Sequence, residues 1–442
     1  MPSLVYRIIE VLSVLVTDLP IGTNLAVFHL LWTVLSGRLL QSRGAIIPAL
    51  AASGLKPDAV RRAWATLAHG AWNLSQLLTR FQDLVQHEGR WQRHRVGALR
   101  PVAVDYVGFF RPRLQDCPTK HFNSQAGKAL PAIPFGVLTA VGSVGSQTVP
   151  MLRDVVRAPD NLTLLTAAQA HLAADEYLVA DPHSPCSWGK CRGFYLAQMR
   201  AAQVDHFVLR VAKNFTARRA TLPEYCGRGR RPTRGTLVRP CARTYRGRSL
   251  PATPPDRTEA WSHAGRALQA QVWEDLVDST EAPGAPTFTA YLITDPAYRT
   301  PLLLVTSLKL TAAETAAAFR ERWPVEQLPL AAKQLLGAHR QFVFGEDARQ
   351  RLPELALVCS SLLMYLAATQ PAEPTGFWDR APQPTAGRLR RVLAQHPFSE
   401  DWPMLTHIRK KNSVTDHLPK GITGHRRTPA PAPASGPPAS RA

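Results

Sequence analysis

The run Pro101-Val-Ala-Val-Asp-Tyr-Val-Gly-Phe-Phe110 decides how the fold is read. β-Branched and aromatic residues at this density mark a strand, and Asp105 stands alone inside it. A lone carboxylate in an apolar strand is costly unless backbone donors, a cation or a metal ion satisfies it. Asp105 is therefore either a buried structural acid or a functional ligand. Downstream, residues 133–144 and 148–156 read as two more strands separated by Gly- and Pro-containing turns, and 161–174 as a helix. A short strand, Tyr177-Leu-Val-Ala-Asp181, follows, then a helix over 194–202 and a strand over 206–211. Three strands followed by alternating helix and strand imply a mixed α/β sheet.

Before this core, residues up to about 95 read as helical, with apolar positions at three- and four-residue spacing. Within them, 45–53 and 57–69 form two short helices around Gly54-Leu55-Lys56. Either they are a helix-turn-helix, with Arg61 and Arg62 facing DNA, or they are an ordinary antiparallel pair. After the core strands, residues 213–248 hold eleven Lys or Arg against one acid, Glu224, about half the excess charge of a chain whose formal net charge is +21. This stretch is either a solvated linker or a β-rich insertion that tracks a phosphate backbone. Two strands, 287–294 and 302–308, then precede a helix opened by Thr311-Ala-Ala-Glu314, which has the capping-box form. Residues 352–368 read as a buried helix and 387–395 as a short basic one; beyond 408 the chain turns basic and then Pro/Ala-rich.

A pI of about 10.4 with arginine in excess makes nucleic acid the first partner to test. The N-terminal apolar stretches are broken by Arg7, Glu10 and Asp18-Leu19-Pro20, short of the roughly 18 uninterrupted residues of a membrane span. No signal-peptide pattern opens the chain, so a cytoplasmic location is expected. Six cysteines are sparse, and the only close pair, Cys186 and Cys191, lacks partners at the usual zinc-ligand spacing.

The chemistry is concentrated in Phe319-Arg-Glu-Arg-Trp-Pro-Val-Glu-Gln-Leu-Pro-Leu-Ala-Ala-Lys333. Phe319, Arg322, Glu326 and Lys333 share one face of a continuous helix, so a carboxylate projects beside two cations. On a solvated helix this is an ordinary ion-pair pattern; beside a metal it pairs a ligand with phosphate-holding cations. Pro324 and Pro329 interrupt helix hydrogen bonding, so a break near Trp323 is expected, with Pro324 opening a new segment. Glu326 and Lys333 then keep a common face, whereas Phe319 and Arg322 need not.

This spacing resembles the Tyr-x2-Arg-x3-Glu-x6-Lys signature of bacterial insertion-sequence transposases of the DDE class, the cut-and-paste group. Phe319 stands where the signature has Tyr; Arg322, Glu326 and Lys333 match. In that family the Glu follows one aspartate in the first core strand and another after the fourth, positions met here by Asp105 and Asp181. The segment His206-Phe-Val-Leu-Arg-Val-Ala-Lys-Asn214 is also similar to the family's strand ending in Arg-x-x-Lys-Asn, which brings in Arg210 and Lys213 as DNA contacts. The resemblance covers roughly residues 100–345.

It implies an α/β fold, an RNase H-like mixed sheet with helices on both faces, interrupted by a basic β-rich insertion and preceded by a helical domain. The expected division is 1–97 for recognition of element ends, 98–212 for the first part of the catalytic core, 213–285 for the insertion, 286–372 for the rest of the core, and 373–442 for a basic extension, disordered from about 428. Asp105, Asp181 and Glu326 would ligate two Mg²⁺, with Mn²⁺ substituting. Phe319, Arg322, Lys333, Arg210 and Lys213, with Arg228, Arg230, Arg231 and Arg234 of the insertion, would contact double-stranded DNA. The implied working form is a homodimer on paired ends, nucleoid-associated in the cytoplasm. Asp116, Asp154, Asp175 and Asp205 are fallback acids, and Trp273 and Trp323 are read as core residues with base stacking as the alternative. A transposase-derived DNA-binding protein, a nuclease without strand transfer and an RNA-binding protein are the competing classes.

Overall fold

The computed structural model describes residues 3–123, 125–181, 194–227, 229–282, 284–372, 374, 376–399, 402 and 408. Five strands form one half of the sheet, with the short Gln92–Arg93 and Lys120–Asn123 added along the second of them: Arg100–Phe110, Lys128–Val144, Gln147–Val156, Glu176–Ala180 and Phe207–Arg210. Their spatial order is third, second, first, fourth, fifth. The first pairs antiparallel with the second, from Val102 opposite Ala140 to Phe110 opposite Ala132, and the second pairs antiparallel with the third. First and fourth are parallel, with Ala103 beside Val179, as are fourth and fifth, with Val179 beside Val208. Parallel neighbours need a crossover, and the helices Asn161–Ala170 and Phe194–Ala201 stand before the fourth and fifth strands. The chain is thus mixed α/β.

Every residue of the fourth strand is buried, including Glu176. Its carboxylate accepts from Arg93 at 2.5 Å, Arg153 at 2.7 Å and the Ala173 N–H at 2.9 Å. A buried acid is tolerated there because its lone pairs are filled by charged and backbone donors. The helix Asn161–Ala170 lies close on the second strand, where a Cβ at Gly136 would stand 2.0 Å from a methyl carbon of Leu164.

Beyond the fifth strand the sheet continues without a break. Leu302–Thr306 pairs antiparallel with Phe207–Arg210, Phe288–Thr294 with Leu302–Thr306, and Arg266–Asp278 with Phe288–Thr294. Arg257–His263 and Ala217–Arg219 both pair with Arg266–Asp278. The basic stretch therefore contributes short strands, Ala217–Arg219 and Leu237–Val238, to the sheet edge, with a separate hairpin of Arg243–Tyr245 and Arg248–Leu250. The expected division at 285/286 falls inside this antiparallel meander.

The N-terminal helices, Ser3–Leu15, Thr23–Leu35, Arg38–Gln41, Ile46–Ala52, Pro57–His69 and Leu74–Glu88, gather around the helix Glu346–Thr369, which also packs on the third strand. A single apolar cluster runs from Leu4 through this helix to the sheet. Residues up to 97 therefore share the central core. Glu346–Thr369 is long and apolar enough to cross a membrane, and its apolar window is 89% buried inside the protein. In the pair Ile46–Ala52 and Pro57–His69, Gly54 turns the chain at φ +86°, and the second helix buries Ala59, Val60, Ala63 and Leu67 while Arg61 pairs with Asp58 on the exposed side.

Candidate active site

Asp105 sits in the middle of the first strand and Asp181 directly follows the fourth; the parallel pairing of Val104 with Ala180 makes the two acids register neighbours. Glu326 comes from the helix Trp323–Gln334, which packs over the first and second strands. The preceding helix, Ala312–Arg320, is started by a full capping box between Thr311 and Glu314. It ends before Pro324, which occupies the first turn of the next helix, where a missing N–H costs nothing. All three acids line one open cleft of about 690 Å³, together with Arg322, Lys333 and His121.

The charges in this cleft are interlocked. Arg322, its side chain only 6% exposed, donates to Glu326 Oε1 at 2.6 Å and lies 3.5 Å from Asp181 Oδ2. Arg210 approaches the same Asp181 oxygen at 3.3 Å. Asp105 accepts the Tyr106 N–H at 2.9 Å. Burial, and then the negative charge of Glu326, push the Asp105 carboxyl above its ordinary range, against the pull of Arg322, the Tyr106 N–H and Lys333. Burial lowers the Lys333 ammonium to about 8, opposed by Asp105. Its Nζ rests over the rings of Phe109 at 5.2 Å and Phe110 at 5.9 Å. His121 is lowered to about 4 by burial and by Lys333, so it is neutral at physiological pH.

Three carboxylates, which offer only oxygen donors, suit a hard divalent cation. The set is open: among the described residues no three His, Cys, Asp or Glu are gathered as a ready ligand group, and a guanidinium stands between Asp181 and Glu326.

The cleft thus brings together Asp105, Asp181, Glu326, Arg322 and Lys333, with Arg210 at its border. Phe319, expected among the DNA contacts, is 6% exposed, 5.7 Å from the Arg322 guanidinium, and on the wall of a second cavity that also borders Asp181. Trp323 is a correction, 58% exposed where core packing was expected, while Trp273 is fully buried as expected. Arg322 is also buried, held by carboxylates instead of presented to solvent. Lys213, Arg230, Arg231 and Arg234 are exposed; Arg228, Cys186 and Cys191 lie outside the described residues. The fallback acids are elsewhere: Asp154 faces His171, Asp175 pairs with Arg100, and Asp116 and Asp205 are exposed.

Sequence reasoning missed His121 and His339, both on the cleft wall. His121 belongs to the hairpin strand Lys120–Asn123, laid along Lys128–Pro131, and faces Gly108 of the first strand, where a Cβ would come within 2.5 Å of the His121 ring. The glycine in an otherwise apolar strand was the one available signal of such a close approach. No protein-family model and no curated protein sequence matches the chain.

Proposed function

We propose that the chain is a DNA transposase of the DDE type, cleaving insertion-sequence ends and joining them to target DNA on an RNase H-like core. One observation carries this reading: three acids from separated segments, Asp105, Asp181 and Glu326, meet in a single open cleft with Arg322 and Lys333. The strand order third-second-first-fourth-fifth, with the second antiparallel, supports the core assignment. Asp105, Asp181 and Glu326 would hold two Mg²⁺, or Mn²⁺ in substitution. When bound, the metals would activate the attacking oxygen and stabilise the leaving one.

The protein's own groups do the rest. Lys333, seated on Phe109 and Phe110, keeps a cation beside Asp105 at the cleft wall. Exposed Lys213, Arg230, Arg231 and Arg234, in the connections that flank the inserted strands, offer phosphate contacts for double-stranded DNA. The working form in this reading is a homodimer on paired element ends, associated with the nucleoid in the cytoplasm. A second reading, a transposase-derived DNA-binding protein that no longer cuts, is favoured by the guanidinium that already neutralises Asp181 and Glu326.

Cleavage, with Mg²⁺, of duplexes taken from the DNA that flanks the gene, any terminal inverted repeats there included, separates the two. The wild type should cut, and Asp105→Asn, Asp181→Asn and Glu326→Gln should each lose cutting by at least about a hundredfold, the scale of a removed electrostatic contact, while still binding. Wild-type binding without cutting would favour the second reading, and near-normal cutting by any one variant would remove that residue from the site.

A further inference from the structure

We propose that Arg322 is an internal placeholder cation, occupying the carboxylate cluster until a divalent metal displaces its guanidinium. This rests on the transposase reading of the same site. Four observations converge on it. The guanidinium bonds Glu326 at 2.6 Å and approaches Asp181 at 3.5 Å, so one side chain neutralises two of the three acids. It is nearly solvent-free, and its buried Nε–H has no partner among the described residues. Its plane is bordered by two rings, Phe319 at 5.7 Å and the exposed Trp323 at 5.2 Å, which attract a cation without fixing it by directional bonds. Finally, Arg322 and Asp181 line both the main cleft and a second cavity of about 260 Å³, whose wall includes Trp323. The side chain therefore borders a second space, one whose wall does not include Glu326.

The chemical logic follows from charge. Asp105, Asp181 and Glu326 share one cleft, the Glu326 charge acts against that of Asp105, and Asp105 is the acid that Arg322 does not bond. A protein that left all three uncompensated between reactions would pay a desolvation penalty. Arg322 meets that need with a monovalent group, so a divalent ion must compete with it for Asp181 and Glu326. Metal loading and the movement of a guanidinium out of the cluster become one event, and metal affinity before DNA arrives is held down.

Titration of the full-length protein with Mn²⁺ in the absence of DNA, by calorimetry and by the electron paramagnetic resonance signal of free Mn²⁺, tests this. Arg322→Met keeps the apolar stem between the rings and removes the charge. It should bind Mn²⁺ about tenfold or more tightly than wild type, because a cation competing at contact distance has gone. A triple variant, Asp105→Asn with Asp181→Asn and Glu326→Gln, fixes the background. If wild type and Arg322→Met both bind no better than that triple variant, the metal reading itself fails and takes the placeholder with it. If wild-type binding depends on the acids but Arg322→Met binds equally or more weakly, the placeholder alone is overturned. Should Arg322→Met not fold, the wild type still decides. Saturating Mg²⁺ should change tryptophan fluorescence in wild type and not in Trp323→Phe, since the displaced guanidinium lies over that ring; acid-dependent metal binding with no Trp323 signal overturns the proposal.

Discussion

At the scale of single residues, the most exacting position outside the cleft is Glu176. Burial alone would raise its carboxyl, but the Ala173 N–H and the Arg153 and Arg93 charges outweigh that and hold it below the ordinary range. A depressed folded-state value contributes stability that is present above the unfolded value near 4.5 and lost as pH falls through the folded one. Glu176→Gln should therefore cost about 3 kcal/mol at pH 7, as expected when one partner of a buried charge cluster is removed. The difference from wild type in urea denaturation should shrink as pH falls below the ordinary Glu range; a constant difference down to pH 3 would mean that packing, not charge, sets the cost. Residue-scale burial is also where sequence reasoning was weakest. Asp105 and Asp181 were legible because each is the acid its apolar strand carries at a distinctive point. The burial of Phe319 and the exposure of Trp323 were not, because helical spacing groups residues onto faces without saying which face packs against the rest of the protein.

At the scale of elements, the first core strand organises the cleft by what it omits. Gly108 leaves room for His121 close against the strand, and His121 in turn meets Tyr106 at 5.6 Å and Phe110 at 6.1 Å between ring centres. The hairpin over 120–131 thus closes one wall of the cleft through a single glycine. Gly108→Ala should force the His121 ring away, because its clashing atoms are Cβ and Cγ, too near the backbone to swing aside. The expected cost is about 1–3 kcal/mol, typical of overpacking, together with faster hydrogen exchange across Lys120–Asn123. Exchange unchanged there would show that the hairpin is held by its own strand pairing. The strands and the break at Pro324 were readable from local residues. The hairpin was not, because four-residue strands take their stability from partners and leave little periodicity.

At the scale of the whole molecule, one sheet carries both the carboxylate cleft and the basic edge. Pairing between Phe207–Arg210 and Leu302–Thr306 joins segments about a hundred residues apart, a contact with no local signature, which is why the insertion read as a linker or a module and not as a continuation of the core. The continuity has a consequence for DNA. Exposed arginines at 230, 231 and 234 lie in the connection between Ala217–Arg219 and Leu237–Val238, the strands at the far edge of the sheet that carries Asp181 beside its fifth strand; under the proposed function, phosphates bound there would lie on the same sheet as the cleft. Arg231 is further steadied over Tyr225 at 5.4 Å, and Arg234 by the Ser279 carbonyl at 3.5 Å. Each arginine that replaces a counterion on duplex DNA contributes about 0.9 to the slope of log affinity against log salt. Replacing Arg230, Arg231 and Arg234 together by Gln should therefore flatten that slope by about 2 to 3, weaken binding to every duplex alike, and leave the melting temperature within a degree or two, since exposed charges of this kind contribute little to stability. The measurement is a salt series of fluorescence-anisotropy titrations with one end-derived and one unrelated duplex. Equal flattening on both duplexes is the expected result. An unchanged slope would remove DNA from this edge, and a loss confined to the end-derived duplex would mean that these arginines read sequence.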